Sequence, residues 1–238
     1  MNIDKVFKIF CDNLFQRKEL MTEDNVRYYW FASMLREDPV LEHYTMEYPY
    51  NTKVFEQTKN QAKKELDFLY INGNESYCME IKFHRNPDPK ATFAHTDAAG
   101  SLFNDIIRLS LFEPGKAFSE QKHTCILPPE TKRLFLYVTD EEMDKYLENE
   151  TGFTLNQKYR EKLKEFYIPN GEAYQSFEFN DVPKTFKNSA LDALDSNKYN
   201  LSSIPGIKLL KQGMYENIES ESFKNKSCHI RLYEVEAR

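Results

Sequence analysis

The chain has 238 residues, enough for one large domain with its own core and no need of disulfide staples. A hydrophobic content of 40% with 14% aromatics excludes a disordered chain, even at 29% charged residues, and only 7 Gly leave no GxGxxG or Walker A phosphate loop. The formal charge of −6 means that no nucleic-acid partner follows from net charge, so any such surface has to be a local basic patch.

The first residues, MNIDKVFKIFCDNLF, place Ile3, Val6, Phe7, Phe10 and Leu14 at helical spacing, which predicts an amphipathic helix over residues 3 to 18. They lack a basic head followed by an apolar run, so a secretory signal is not expected and a cytoplasmic location is. No stretch approaches the roughly 18 uninterrupted apolar residues that span a bilayer, so no membrane association is expected. Thr22 reads as an N-cap with Glu23 and Asp24 in the following turn, predicting a second helix over about residues 23 to 37. The run Tyr28, Tyr29, Trp30 and Phe31 within it has the makings of a base-stacking surface, but core packing is the expectation.

After Pro39, EHYTMEYPY alternates as a first strand, and residues 53 to 64 are polar and lysine-rich. KELDFLYI and SYCMEIKF then read as two strands around the turn NGNE, before NPDP at 86 to 89 breaks the pattern. TDAAGSLFNDIIRLSLF resumes helical spacing through Leu102, Ile106 and Leu109 and closes near Pro114 and Gly115. KRLFLYVTD, residues 132 to 140, is a buried strand that completes a crossover to a parallel position. Residues 141 to 168 read as helix interrupted at Thr151 and Gly152, and YQSFEF and CHIRLYEVE supply later strands. The Ser/Asn/Lys-rich stretch from 184 to 226 yields no clear pattern. The expected class is α/β with α+β character: one mixed sheet flanked by helices, in a single domain 1–238.

Asp67 lies in the first strand of the hairpin, and Glu80 and Lys82 lie two apart in the second, which puts the latter pair on one face. Two carboxylates and a lysine converging there need compensation, and a divalent cation with oxygen ligands supplies it. The bland alternative is a cross-strand ion cluster contributing no more than about 1 kcal/mol. Glu-x-Lys also occurs at Glu120 to Lys122 and Glu130 to Lys132, but only Glu80, Ile81 and Lys82 sit inside a strand after an Asp-bearing one.

This arrangement, Asp67 followed by Glu80-Ile81-Lys82 across a short turn, resembles the PD-(D/E)XK nuclease superfamily. The order of helix with an early acid, β-meander, covering helix and strand agrees over residues 20 to 140, the expected nuclease core. Residues 141 to 238 form an extension packed on it. Leu66 stands where the family's name puts proline. The resemblance implies a restriction-endonuclease-like fold, Mg²⁺ (Mn²⁺ as substitute) held by Asp67, Glu80 and the Ile81 carbonyl, and Glu23 as an auxiliary ligand. It implies Asp67, Glu80 and Lys82 as the catalytic set for endonucleolytic hydrolysis of DNA rather than RNA, leaving 5′-phosphate and 3′-hydroxyl ends, in a homodimer if both strands are cut. The alternatives are an inactive module of the same fold that binds protein or nucleic acid, and a different hydrolase using the same carboxylates.

His84 and Arg85 continue the same strand, where a phosphate contact competes with a solvated strand end, the latter favoured for His84. Leu155, Tyr159, Leu163 and Phe166 form an apolar stripe that leaves Lys158, Arg160, Lys162 and Lys164 outward, read as a solvated face rather than a nucleic-acid contact. Cys11, Cys78, Cys125 and Cys228 form no CxxC pair and are expected reduced and buried, and His123 with Cys125 lacks a second pair for zinc. There is no GxSxG, and no Ser or Cys nucleophile has an evident local context. Residues 169 to 238 carry no functional signal.

Overall fold

Two side-chain caps start the architecture. Asn2 accepts the Lys5 N–H at the head of α1 (Ile3–Phe15), and Thr22 with Asn25 forms a reciprocal capping box at the head of α2 (Glu23–Glu37). The structure, a computed structural model, describes residues 1–16, 21–50, 65–73, 75–86, 94–112, 128–150, 157–195, 201–218 and 226–238. A short 3-10 turn, Leu41–His43, leads into β1 (Tyr44–Pro49), and the hairpin follows as β2 (Glu65–Asn72) and β3 (Glu75–His84). α3 (His95–Ser110) then crosses over to β4 (Lys132–Asp140), which pairs parallel to β3 as the sequence predicts. α4 (Glu141–Leu147), α5 (Gln157–Tyr167), β5 (Gln175–Glu178), α6 (Lys184–Ala190), β6 (Ser203–Ile218) and β7 (Lys226–Val235) complete the order.

The seven strands among the described residues join one sheet in the order β1-β2-β3-β4-β7-β6-β5, antiparallel except at β3 and β4. Alternation along the strands divides the core in two. Phe68, Met79, Leu136 and Ile230 meet α1 and α2 through Phe10, Trp30 and Met34. Leu69, Cys78, Phe135 and Tyr233 meet the layer of α3 to α6 through Phe103, Leu147, Phe166 and Phe186. The sheet is thus the mixed, helix-flanked one expected. Among the described residues no helix is long and apolar enough to cross a membrane.

α3 and α6 approach so closely that a Cβ at Gly100 would stand 2.5 Å from the Ser189 Cβ and 2.6 Å from the Phe186 carbonyl oxygen. Backbone cannot yield as a flexible side chain does. Gly100→Ala is therefore expected to lower stability by about 1–3 kcal/mol, read as an earlier urea midpoint. An unchanged midpoint would show that the two helices are not in this contact.

Three expectations need correction. Of the aromatic run, Trp30 is fully buried, but Tyr28 is 60% exposed, because consecutive helical residues lie about 100° apart and cannot all face one core. Arg160 does not join a solvated face: it is 1% exposed, donates to the Tyr146 carbonyl at 2.8 Å and lies 4.4 Å over that ring. Its neighbour Lys158 is exposed and pairs with Asp181 at 2.9 Å. The patternless stretch from 184 holds α6 and the longest described strand, β6, whose register shifts at Leu209/Lys211 and Tyr215/Ile218 break the period of two. Cys11, Cys78 and Cys228 are free and buried. Residues 53 to 64, Asn74, Pro87, Pro89, Pro114, Gly115, Glu120, Lys122, His123, Cys125, Thr151, Gly152 and Leu155 lie outside the described residues.

Candidate active site

The ladder between β2 and β3 runs from Asn72↔Glu75 to Phe68↔Met79, whereas β3 remains paired with β4 as far as His84↔Thr139. Over its last residues β3 therefore has an edge that β2 has left. Its N–H groups need acceptors there, since leaving one buried and unpaired costs about 1–3 kcal/mol. Two acidic side chains provide them. Asp67 Oδ2 accepts the Ile81 N–H at 2.6 Å, and Glu23 Oε2, from the first turn of α2, accepts the Phe83 N–H at 3.2 Å.

Glu80 and Lys82 point to the other layer, toward α3. Glu80 Oε1 accepts the Tyr50 hydroxyl at 2.6 Å and pairs with Arg108 Nη2 at 3.1 Å. Lys82 Nζ is 3.3 Å from Asp105 Oδ2 and 3.8 Å from Glu23 Oε2. Asp105 in turn holds Arg108 Nη1 at 3.0 Å. On the α2 side, Arg27 Nη2 bridges Asp67 Oδ1 at 2.8 Å and Glu23 Oε1 at 3.1 Å. The fork thus gathers Glu23, Asp67, Glu80 and Lys82 into one chain of charges linked by Arg27, Asp105 and Arg108.

Burial decides the protonation of these groups. Asp67 is 6% and Glu80 3% exposed. Burial pushes the Asp67 carboxyl up to about 8, the Glu80 charge adds to the rise, and Arg27 and the Ile81 N–H offset only part of it. Glu80 is raised by burial against the pull of Arg108, with Asp105 adding to the rise. Burial alone would lower Lys82, but Asp105 and Glu23 outweigh it and hold the ammonium above its ordinary value. His84 is not the solvated strand end expected. It is partly buried, with Nδ1 3.1 Å from the Tyr137 hydroxyl, and burial with the Lys82 charge holds its imidazole down at about 3, hence neutral.

Two buried carboxylates that resist sharing negative charge form a donor set that gains from a divalent cation, and Ile81 presents its carbonyl on the strand edge that its N–H occupies. Among the described residues no three His, Cys, Asp or Glu side chains form a group that could hold a metal ion. The Nε–H groups of Arg27 and Arg108 are buried without a hydrogen-bond partner among the described residues. Glu130 and Lys132, the other described Glu-x-Lys pair, lie exposed, Glu130 in the turn before β4 and Lys132 at its first residue.

Arg27, Tyr50, Asp105 and Arg108 escaped the sequence reading. Arg27 stands at the i+4 position from Glu23, an ordinary helical ion-pair spacing with nothing to set it apart. Asp105 did carry a signal: it falls between Leu102 and Leu109 at steps of three and four, a charge on the buried stripe of α3. No family model, curated protein or solved structure matches the chain.

Proposed function

We propose that the chain is a divalent-cation-dependent endonuclease of the restriction-endonuclease-like kind that hydrolyses phosphodiester bonds in DNA. The observation that carries this reading is the strand fork, where the buried Asp67 and Glu80 are joined to Lys82 through Arg27, Glu23, Asp105 and Arg108. Asp67, Glu80 and the Ile81 carbonyl would hold Mg²⁺ or Mn²⁺, with Glu23 as an outer partner, and the bound cation would supply charge neutralisation at the phosphate and a more acidic water.

The chain's own groups do the rest. Lys82 stays protonated beside Asp105 and Glu23, so it acts as a fixed cation that orients the attacking water and stabilises the crowded anionic transition state, rather than as a base. Asp105 positions that ammonium. Arg27 and Arg108 each keep a buried Nε–H with no hydrogen-bond partner among the described residues. DNA rather than RNA, 5′-phosphate products and a homodimer for double-strand cutting accompany this reading through the family resemblance.

A second reading has its own support: Arg108 on Glu80 and Arg27 on Asp67 neutralise the carboxylates without any metal, as an inactive protein- or nucleic-acid-binding module of the same fold would require. Plasmid nicking in Mg²⁺ separates the two. Lys82→Ala and Glu80→Ala are expected to lower the rate by at least about 10²-fold with the circular-dichroism spectrum unchanged. Equal nicking by the wild type and both variants overturns the nuclease.

A further inference from the structure

A second constellation lies where α4, β6 and β7 meet. Ser227 and His229 are two apart on β7 and so share a face. Ser227 Oγ is 2.7 Å from His229 Nε2, and His229 Nδ1 is 2.9 Å from Asp144 Oδ2 on α4. Asp144 is 3% exposed, and its other oxygen accepts the Tyr167 hydroxyl at 2.7 Å and pairs with Arg231. Burial pushes that carboxyl up, but His229 and Arg231 outweigh it and hold it below the ordinary range, hence ionised. A ring nitrogen facing a carboxylate carries the proton, so in the neutral imidazole Nε2 is the acceptor and the Ser227 O–H the donor.

Hydroxyl, imidazole and buried carboxylate in this order are what turns a serine into a nucleophile. Ser227 and His229 both line a cleft of about 630 Å³, a size that takes a small organic molecule. Its wall adds Glu141, Glu148 and Glu150 to Asp144 against Lys145 and Arg231, an excess of negative charge, together with the apolar Met214 and Ile168. From this geometry we infer a serine-hydrolase site, separate from the strand fork, for small neutral or cationic carboxylic esters.

The reaction balances with water alone. Ser227 Oγ adds to the ester carbonyl carbon while its proton passes to His229 Nε2. The C–O bond to the alcohol then breaks, and the alcohol leaves with that proton, giving acyl-Ser227. Water adds next, again yielding a proton to His229, and collapse releases the carboxylic acid as Ser227 Oγ recovers the proton. Asp144 keeps the imidazole in the required tautomer throughout and faces the imidazolium when it forms.

The test is covalent labelling with diisopropyl fluorophosphate, mapped by peptide mass spectrometry. The wild type should be modified at Ser227, and His229→Gln should react at least about a hundredfold more slowly, the usual worth of a general base. The wild type in denaturing urea, which needs no variant to fold, should lose the reaction as well. p-Nitrophenyl acetate should be hydrolysed in preference to the anionic mono-p-nitrophenyl succinate, and Ser227→Ala should hydrolyse neither. Native Ser227 left unmodified, or modified equally fast in His229→Gln or in urea, overturns the assignment and leaves the three residues a structural hydrogen-bond chain.

Discussion

Asp67→Asn is expected to raise the thermal midpoint near pH 8 by about 5 °C or more in the absence of divalent cations, while removing metal-dependent cleavage. The reason is the position of this carboxyl between β2 and β3. Burial, then the neighbouring Glu80, pushes its pKa up to about 8, whereas in the unfolded chain an aspartate titrates near ~3.9. Between these values the unfolded chain has released a proton that the folded chain still holds, so stability falls as pH rises across that window. Asparagine keeps an acceptor for the Ile81 N–H without the charge, and Arg27 retains Glu23 and Asp24 as partners. The variant should therefore lose less stability from pH 4 to 8 than the wild type. Identical slopes with no gain in midpoint would mean that Asp67 is comfortably ionised at the fork.

Arg108→Ala should act in the opposite direction. It removes the guanidinium that lies against both Glu80 and Asp105, each less than 10% exposed, and breaking a buried pair from one side costs about 3–5 kcal/mol. An ion cluster kept only for stability predicts that loss and nothing more. A cation site predicts also that Mg²⁺ restores a larger share of the urea midpoint in Arg108→Ala than it adds to the wild type. A cation that binds the folded chain stabilises it according to its affinity, and the variant offers Glu80 free of its competitor. A variant midpoint indifferent to Mg²⁺ would count against the carboxylates as metal ligands.

How much of this was legible in the sequence depends on the range of the interactions. Thr22 announces α2 because an N-cap is a local bond, and the hairpin and β4 stand out because alternation and apolar runs are local patterns. Glu80 and Lys82 could be placed on one face from the period of a strand alone. Glu23 could be brought to them only through the family resemblance, since its bond to the Phe83 N–H spans 60 positions. Arg27 and Arg108 did not stand out as site residues because Asp67 and Glu80, which they hold, come from strands elsewhere in the chain, and Asp105 showed only as a charge on the buried stripe of α3. The same holds for Ser227 and His229, whose alternation on β7 acquires meaning only when α4 delivers Asp144. β6 was missed for a different reason: its bulges shift the side chains between faces, so no period survives over its length.

Isothermal titration of the wild type and Asp67→Asn with Mn²⁺ asks whether the strand fork binds a divalent cation. A carboxylate pair built to hold a divalent cation at the strand fork predicts a saturable transition at millimolar Mn²⁺ or below in the wild type that is absent from the variant. No binding heat in the wild type at millimolar metal, or the same heat in both proteins, would contradict it.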